Sequence, residues 1–424
     1  MERNQTVKDN RITVIDALRG FALLGVVLVH MQQHYSIFNF GAFTPTEPAF
    51  PVLDGWIGWL TRSVLMGRFI NIFAFLFGMS FFIQMDRGAK KGVDFRRRFI
   101  WRMIILFLIG VVGSAFYSGD ILSFYALFGL VLVLLYPLKT KVLVIIASLI
   151  LIGAPRWISF GYDKIAAPRE TTVVANAPET ERVHAERPRQ MADVAQETPS
   201  LTNTIKSNLT DGRMRTLRYQ FNWGGRGYLT FALFILGLVV GRIRFFETVH
   251  LHTRRNILLF VLFAAGAWVV GRVNGLLPHG QVSFMQSTTP SATALFRMTL
   301  NDVNMVLFSA AITMGFVILY HMKGIGILYH MKGIGKCLNL LTPYGRMGLT
   351  NYEAQGIIGS ILFSLWGFGS IFGRWHATEL FCFGIAFYIV QVVFSRIWLT
   401  YFKYGPLEWF WRSATYLKWQ PFRK

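Results

Sequence analysis

Cysteine is nearly missing from these 424 residues. The two present, Cys337 and Cys382, have no CxxC or metal-type spacing, so no disulfide framework and no cysteine metal site is indicated. Acidic residues are scarce as well, 21 against 43 Lys and Arg, leaving a formal net charge of +22. Such an excess suggests nucleic acid, but its distribution argues against that. Most of the Lys and Arg lie in short segments at the ends of apolar runs, where positive-inside placement accounts for them. Charge of either sign makes up only 15% of the chain, against 53% hydrophobic residues and a mean hydropathy of +0.43. That balance excludes a soluble globular protein. The N-terminal run also lacks a small-residue cleavage site, and Asp16 and Arg19 interrupt it, so it reads as a retained first helix and not as a signal peptide.

What is present is a series of apolar runs, several of them about twenty residues long. In order they are Val14–Met31, Leu65–Met85, Phe99–Phe116, Ile121–Tyr136, Val142–Phe160, Tyr228–Val240, Asn256–Val273, Val303–Tyr320, Gly348–Phe368 and Leu380–Phe402. The expected fold is an all-α polytopic membrane protein of about ten transmembrane helices. Residues 1–160 form an N-terminal bundle, 161–226 an extracytoplasmic loop, and 227–424 a C-terminal bundle ending in a cytoplasmic amphipathic tail. Basic residues alternate along the connecting segments. Arg3, Lys8 and Arg11 precede the first run, and Arg87 to Arg102, Lys139 and Lys141, Arg242 to Arg255, Lys323 to Arg346 and Lys403 to Lys424 are basic. His34 to Pro51 and Ser118 to Asp120 carry no Lys or Arg. The positive-inside rule then puts both termini in the cytoplasm. The segment Gly161 to Asn222 falls on the outer side with no apolar run worth burying, and reads as either a partly ordered cap or a mobile loop. Ile318–Gly326 and Ile327–Gly335 repeat the same nine residues in tandem, which reads as a duplication lengthening a cytoplasmic loop. His321 and His330 are then copies of a loop residue.

The first run organises the chemistry. It spans a bilayer yet carries Asp16, Arg19 and His30, and charged groups inside a membrane helix cost several kcal/mol unless paired or facing a wet cavity. Eleven steps at about 100° return Arg19 and His30 to within about 20° of one face, about 16 Å apart. Asp16 sits one turn before Arg19 and His34 one turn beyond His30, making a polar stripe. Elsewhere, Arg68 and Asn71 are one turn apart at the start of the second run, read either as interfacial snorkelling or as an anion- or carbonyl-binding pair. Arg96 to Arg102, including Arg98 and Arg102, is either a positive-inside anchor or a phosphate-binding cluster. Asp120 begins a helix as its cap or orients His30. Asn351 and Gln355 are i, i+4 and face the bundle, as interhelical glue or as binding groups. Glu353 in the same run faces a cavity or is neutral. His30 and His34 lack the third ligand that a metal site needs, and no metal is expected.

The spacing Asp-x-x-Arg, ten residues, then His on a first membrane helix resembles the opening of acyltransferase-three membrane proteins. Val14 to Gly25 resembles still more the YeiB-like family (domain of unknown function 418), within the transmembrane acyltransferase superfamily that includes heparan-α-glucosaminide N-acetyltransferase. Further elements are similar to that family: Gly67 to Gly78, Gly119-Asp-Ile-Leu-Ser-Phe-Tyr-Ala-Leu127, Gly345-Arg-Met-Gly-Leu-Thr-Asn-Tyr352 and Gly405-Pro-Leu-Glu-Trp-Phe-Trp-Arg412. One departure is Gly110-Val-Val-Gly113, in the stretch shortly before the Gly-Asp-Ile-Leu element where members of that family often carry a His. The resemblance implies a protein of the bacterial cytoplasmic (inner) membrane that moves an acyl, acetyl-like group from acyl-CoA (acetyl-CoA). The acceptor would be a hydroxyl or amine on a small molecule or glycan, at or beyond the outer face. His30 would be the catalytic imidazole, with Arg19 and Asp16 at the donor or reaction site. Arg68, Asn71, Arg98, Arg102, Asp120, Asn351 and Gln355 are the remaining candidates for binding donor or acceptor. Membrane lipids are expected partners, a homo-oligomer is compatible, and nucleic acid is not expected. The alternative reading makes the same stripe the path of a transporter or channel for a small anion or lipid.

Overall fold

The structure is a computed structural model that describes residues 12–35, 47–166, 199–278, 290–321 and 332–424. Arg3, Lys8 and Arg11, residues 36–46 of the first loop, residues 167–198 of the long polar segment, and residues 322–331 of the tandem repeat with His330 lie outside the described residues.

Every apolar run becomes a helix. The first is α1 (Thr13–Gln32); α2 (Pro51–Leu60) leads through a π-turn, Thr61–Leu65, towards α3 (Arg68–Ala89). Next come α4 (Arg96–Phe116), α5 (Leu122–Leu135), α6 (Thr140–Leu151) and α7 (Ala154–Ala166). The polar segment contributes α8 (Leu201–Ser207) and α9 (Arg213–Phe221). They are followed by α10 (Gly227–Arg242), α11 (Thr253–Leu276), α12 (Ala292–His321) and the short α13 (Lys332–Asn339) and α14 (Thr342–Arg346). The chain closes with α15 (Gly348–Phe363), α16 (Ala377–Tyr401) and α17 (Pro406–Tyr416). Among the described residues there is no strand, only one antiparallel bridge between Phe402 and Arg423.

Six described helical stretches are long and apolar enough to cross a membrane, and eight if two bent pairs each count as one span. The bends have local causes. α6 and α7 meet at 55° across Gly153, whose φ of +83° only glycine adopts without strain. Gly67, at φ +80°, likewise breaks the helical run between the π-turn and α3. Helices that share no water must pack by close approach, which small residues allow. A Cβ on Gly78 of α3 would stand 2.0 Å from Phe234 O of α10, and one on Gly237 of α10 would stand 2.1 Å from Phe75 O. The α1–α14 crossing is as tight, because a Cβ on Gly345 would stand 1.8 Å from Asp16 O.

Of the six long apolar stretches α1 is the most enclosed, with 72% of its apolar window buried, and it packs against α3, α12, α14, α15 and α16. α11 is the opposite case, with 11% buried and Ile257, Leu258, Val261, Leu262, Trp268 and Val269 exposed, so it is the peripheral helix. The described part of the polar segment, α8 and α9, packs on the end of α4. Asn208 Nδ2 donates to Ala115 O (3.0 Å) and Phe116 O (3.1 Å), and Thr216 Oγ1 donates to Ser118 O (2.8 Å). These bonds satisfy carbonyls at the C-terminal end of α4, which the helix itself leaves open. α2, whose Trp56 and Trp59 are exposed, is tied to the start of α16 by Asp54 Oδ1, which accepts from Thr378 N (2.7 Å) and Thr378 Oγ1 (2.6 Å).

Candidate active site

His30 lies in the last turn of α1 and faces a cavity of ≈ 10 Å³, room for about one water, that it shares with Gly113, Tyr117, Asp120, Tyr352, Glu353 and Gly356. Its ring is 5.0 Å from that of Tyr117, 5.4 Å from Tyr35 and 6.3 Å from Tyr352. Two carboxyl groups therefore converge on an imidazole from two other helices: Asp120 from the turn before α5, Glu353 from α15. Both are buried, and Asp120 Oδ1 and Glu353 Oε1 have no hydrogen-bond partner among the described residues. Asp120 Oδ2 accepts from Leu122 N (3.1 Å), which is a helix-capping bond, while its other oxygen remains available to the site. Asp120 thus bonds the first residue of α5 and also lines the His30 cavity.

The glycines of α4 explain how two carboxyls fit there. A Cβ at Gly113 would stand 2.3 Å from Glu353 Oε2, and one at Gly110 would stand 3.0 Å from Asp120 Oδ2 and 2.5 Å from Ser123 N. Gly110-Val-Val-Gly113 is therefore a notch that seats the carboxyl groups. From above, α9 supplies Arg213, whose guanidinium donates to Ser114 Oγ (3.2 Å) and Ser123 Oγ and lies over the Phe124 ring at 5.2 Å. It is the cation whose field reaches Asp120. Ile121 N donates to Tyr352 Oη at 3.4 Å, fixing the phenol beside the cavity.

At the other end of α1, Arg19 Nη1 donates to Asp16 Oδ1 (2.9 Å) and Nη2 donates to Ser80 Oγ (2.9 Å) of α3. Asp16 and Arg19 thus pair as their spacing requires. Between Arg19 and His30 the same face carries Leu23, Val26 and Val27, all packed into the core. The stripe expected from the sequence is in fact two polar ends separated by an apolar layer. His34 lies past the end of α1 with φ +50° and packs edge-on to Phe363 at 5.2 Å, apart from the His30 cavity.

The other candidates are not gathered at His30. Asn71 Oδ1 accepts from Arg226 of the α10 N-terminus, and Asn71 Nδ2 donates to Ser309 Oγ (3.3 Å) of α12. Arg68 Nη1 donates to the carbonyls of Arg62 and Met66, both at 2.9 Å, at the helix break. Neither residue lines the His30 cavity. Asn351 Nδ2 donates to Tyr344 O (3.2 Å) and Ser395 Oγ (3.0 Å); Gln355 Nε2 donates to Tyr344 Oη (2.8 Å) and Gln391 Oε1 (3.0 Å). This network joins α14, α15 and α16, which is the interhelical role. Arg102 lies over the Trp411 ring at 3.6 Å and Arg98 over Tyr416 at 5.0 Å, so the basic entry to α4 holds α17. Glu408 of α17 accepts from Leu349 N (2.7 Å), Thr350 N (3.0 Å) and Thr350 Oγ1 (2.5 Å), capping α15.

Tyr117, Tyr352 and Arg213 were not singled out from the sequence. Tyr117 stands three residues before Asp120, close enough to have been suspected. Arg213 sits in a polar segment with no apolar periodicity, so only the folding of α9 onto α4 reveals it.

Fold and site together define a helical membrane protein whose most buried apolar helix presents a histidine to two buried carboxyl groups. The family described as "Protein of unknown function (DUF418)" matches residues 240–418. The chain is 27% identical over 436 residues to the uncharacterized protein YxaH of Bacillus subtilis (strain 168), covering 99% of this chain and 98% of that one. It is 26% identical over 428 residues to the uncharacterized protein YeiB of Escherichia coli (strain K12), covering 98% and 97% of the two chains. An uncharacterized 39.9 kDa protein in the amylase 3' region of Bacillus acidopullulyticus is 25% identical over 418 residues, covering 96% and 94%. These matches support a YeiB-like, DUF418 relationship.

Proposed function

We propose that this protein is a membrane-bound acyltransferase in which His30 is the general base. The observation that carries the reading is the closed cavity where the His30 imidazole meets Asp120, Glu353, Tyr117 and Tyr352. An imidazole can take the proton of an acceptor on one ring nitrogen while a neighbouring carboxyl group accepts the N–H of the other and orients the ring. An acceptor hydroxyl or amine gives its proton to His30 as its oxygen or nitrogen bonds to the thioester carbonyl of an acyl-CoA. The carbon–sulfur bond then breaks, the proton passes from imidazolium to the departing thiolate, and the products are an acyl ester or amide and free CoA. Arg19, paired with Asp16, belongs to the donor side. Leu23, Val26 and Val27 stand between donor side and base, so the acyl group reaches His30 only when they part.

The reading includes ten spans, counting the shorter α5 and α15 and the bent helices, in a bacterial cytoplasmic membrane. With both termini inside, Arg19 lies towards the cytosolic donor and His30 towards the outer acceptor. The alternative, a transport path for a small anion or lipid along α1, needs the same apolar layer to part.

The test is acyl-CoA binding and hydrolysis by purified protein in detergent, wild type beside His30→Ala and Glu353→Gln. Saturable binding with turnover reduced about 10²- to 10⁴-fold in His30→Ala is the expected result. Failure to bind any acyl-CoA would overturn the donor assignment.

A further inference from the structure

A much larger cavity lies elsewhere. A cleft of ≈ 1070 Å³ opens between α11 and α12 and reaches Phe21 of α1, with no residue in common with the His30 cavity. Its lining is apolar along the shaft, with Phe260, Ile312, Phe316 and Leu319, and polar at one end, with Arg68, Arg272 and Asn304. Among the described residues no Asp or Glu lines it. From Arg272 to Phe260 along α11 the shaft runs about 18 Å, and from Asn304 to Leu319 along α12 about 22 Å. That is the length of an extended fatty acyl chain.

The cationic end is shaped for an anion. Arg68 uses Nη1 on the carbonyls of Arg62 and Met66, each at 2.9 Å, which fixes the guanidinium at the helix break. Its buried Nε has no partner among the described residues. Asn304 is held by the bond from its Nδ2 to Ala267 O at 2.6 Å. Trp59 stands at the same mouth, half exposed, as a tryptophan at a membrane–water boundary does. Two guanidinium groups without a carboxylate, at the end of a long apolar shaft beside a peripheral helix, match one chemistry.

We propose that this cleft binds an anionic phospholipid, with its phosphate between Arg68 and Arg272 and an acyl chain along α11 and α12. Arginine takes phosphate through its planar fork, and a lipid held this way fills a gap that α11 leaves against the bundle. The site is separate from the His30 chemistry and stands whether or not the protein transfers acyl groups.

Native mass spectrometry of the full-length protein in detergent tests it, after exchange with phosphatidylglycerol, phosphatidylcholine or inorganic phosphate. Phosphatidylglycerol is expected to be retained over phosphatidylcholine by about tenfold or more, the scale of two arginines at a lipid phosphate. Arg272→Gln, an exposed position, and Arg68→Gln should each erode that preference, while Ala264→Phe, which fills the shaft, should reduce retention of both lipids. A melting curve of each variant confirms folding, and Arg272→Gln alone decides if Arg68→Gln does not fold. Equal retention of the two lipids by wild type, or an unchanged preference in Arg272→Gln, would overturn the proposal. So would stabilisation by inorganic phosphate equal to that by the lipid, which would mark an anion site with no role for the chain.

Discussion

Between Glu353 and α4 there is no room for a Cβ at Gly113. A methyl group on Gly113 would meet Oε2 at 2.3 Å, so Gly113→Ala must displace the carboxyl or spread α4 from α15. Overpacking of this kind costs about 1–3 kcal/mol, and thermal unfolding in detergent should show it. In Gly113→Ala/Glu353→Ala the loss should be largely relieved, and the coupling between the two changes measures their contact. A loss unchanged in the double variant would mean that the notch serves the backbone and not the carboxyl. Asp120→Asn keeps the bond accepted from Leu122 N but removes the charge beside His30. It should leave the melting temperature within a few degrees of wild type and lower acyl-CoA hydrolysis. At this scale the sequence was half legible. His30 and Asp120 stand out because a charged or imidazole group at an apolar run begs for a partner. Arg213 does not stand out, since nothing in a polar segment distinguishes one arginine from its neighbours until the segment is folded.

Among the elements, α15 depends on a cap from far along the chain. The backbone N–H groups of Leu349 and Thr350 are two of the donors that a helix leaves open at its start, and Glu408 takes both. Glu408→Ala orphans them, at a cost of about 1–3 kcal/mol in thermal or denaturant unfolding. Burial also raises the Glu408 carboxyl above its ordinary value, with the bonds from Thr350 and Leu349 pulling the other way. A carboxyl whose folded value lies above its unfolded one binds protons more tightly when folded. Its contribution to stability is therefore greatest below the ordinary carboxylate range and falls as pH rises through the folded value. Glu408→Gln should flatten that part of the stability–pH profile. The Asn351 and Gln355 network makes a separate prediction. Gln355→Leu should cost about 1 kcal/mol of stability and leave acyl-CoA binding unchanged, because its partners Tyr344 and Gln391 are other helices. Weakened donor binding at unchanged stability would return Gln355 to the binding site.

For the whole molecule, the positions of the helices were written plainly in the sequence. All ten apolar runs are helical, because length and hydropathy alone demand it. The breaks were harder to read. Gly67 and Gly153 look like any other glycines in an apolar run, and only their positive φ marks them as joints. Periodicity places Arg19 and His30 on one face about 16 Å apart, but does not show that Leu23, Val26 and Val27 between them are packed into the core. Topology can be tested directly. In a chain freed of Cys337 and Cys382, Asp94→Cys should react with a membrane-impermeant maleimide only in inverted vesicles, and Ser200→Cys only in intact cells. Labelling of both from one side would refute the ten-span, both-ends-inside arrangement.

The Glu408 cap has one more consequence. The residue that completes α15 is made 58 positions after Thr350, so ribosomes finish the helix long before its N-terminus can be closed. Until Gly405 to Glu408 emerge, the bundle is inserted but unlatched. A chain that stops before that point would carry all ten apolar runs and still leave the Leu349 and Thr350 N–H groups without their acceptor.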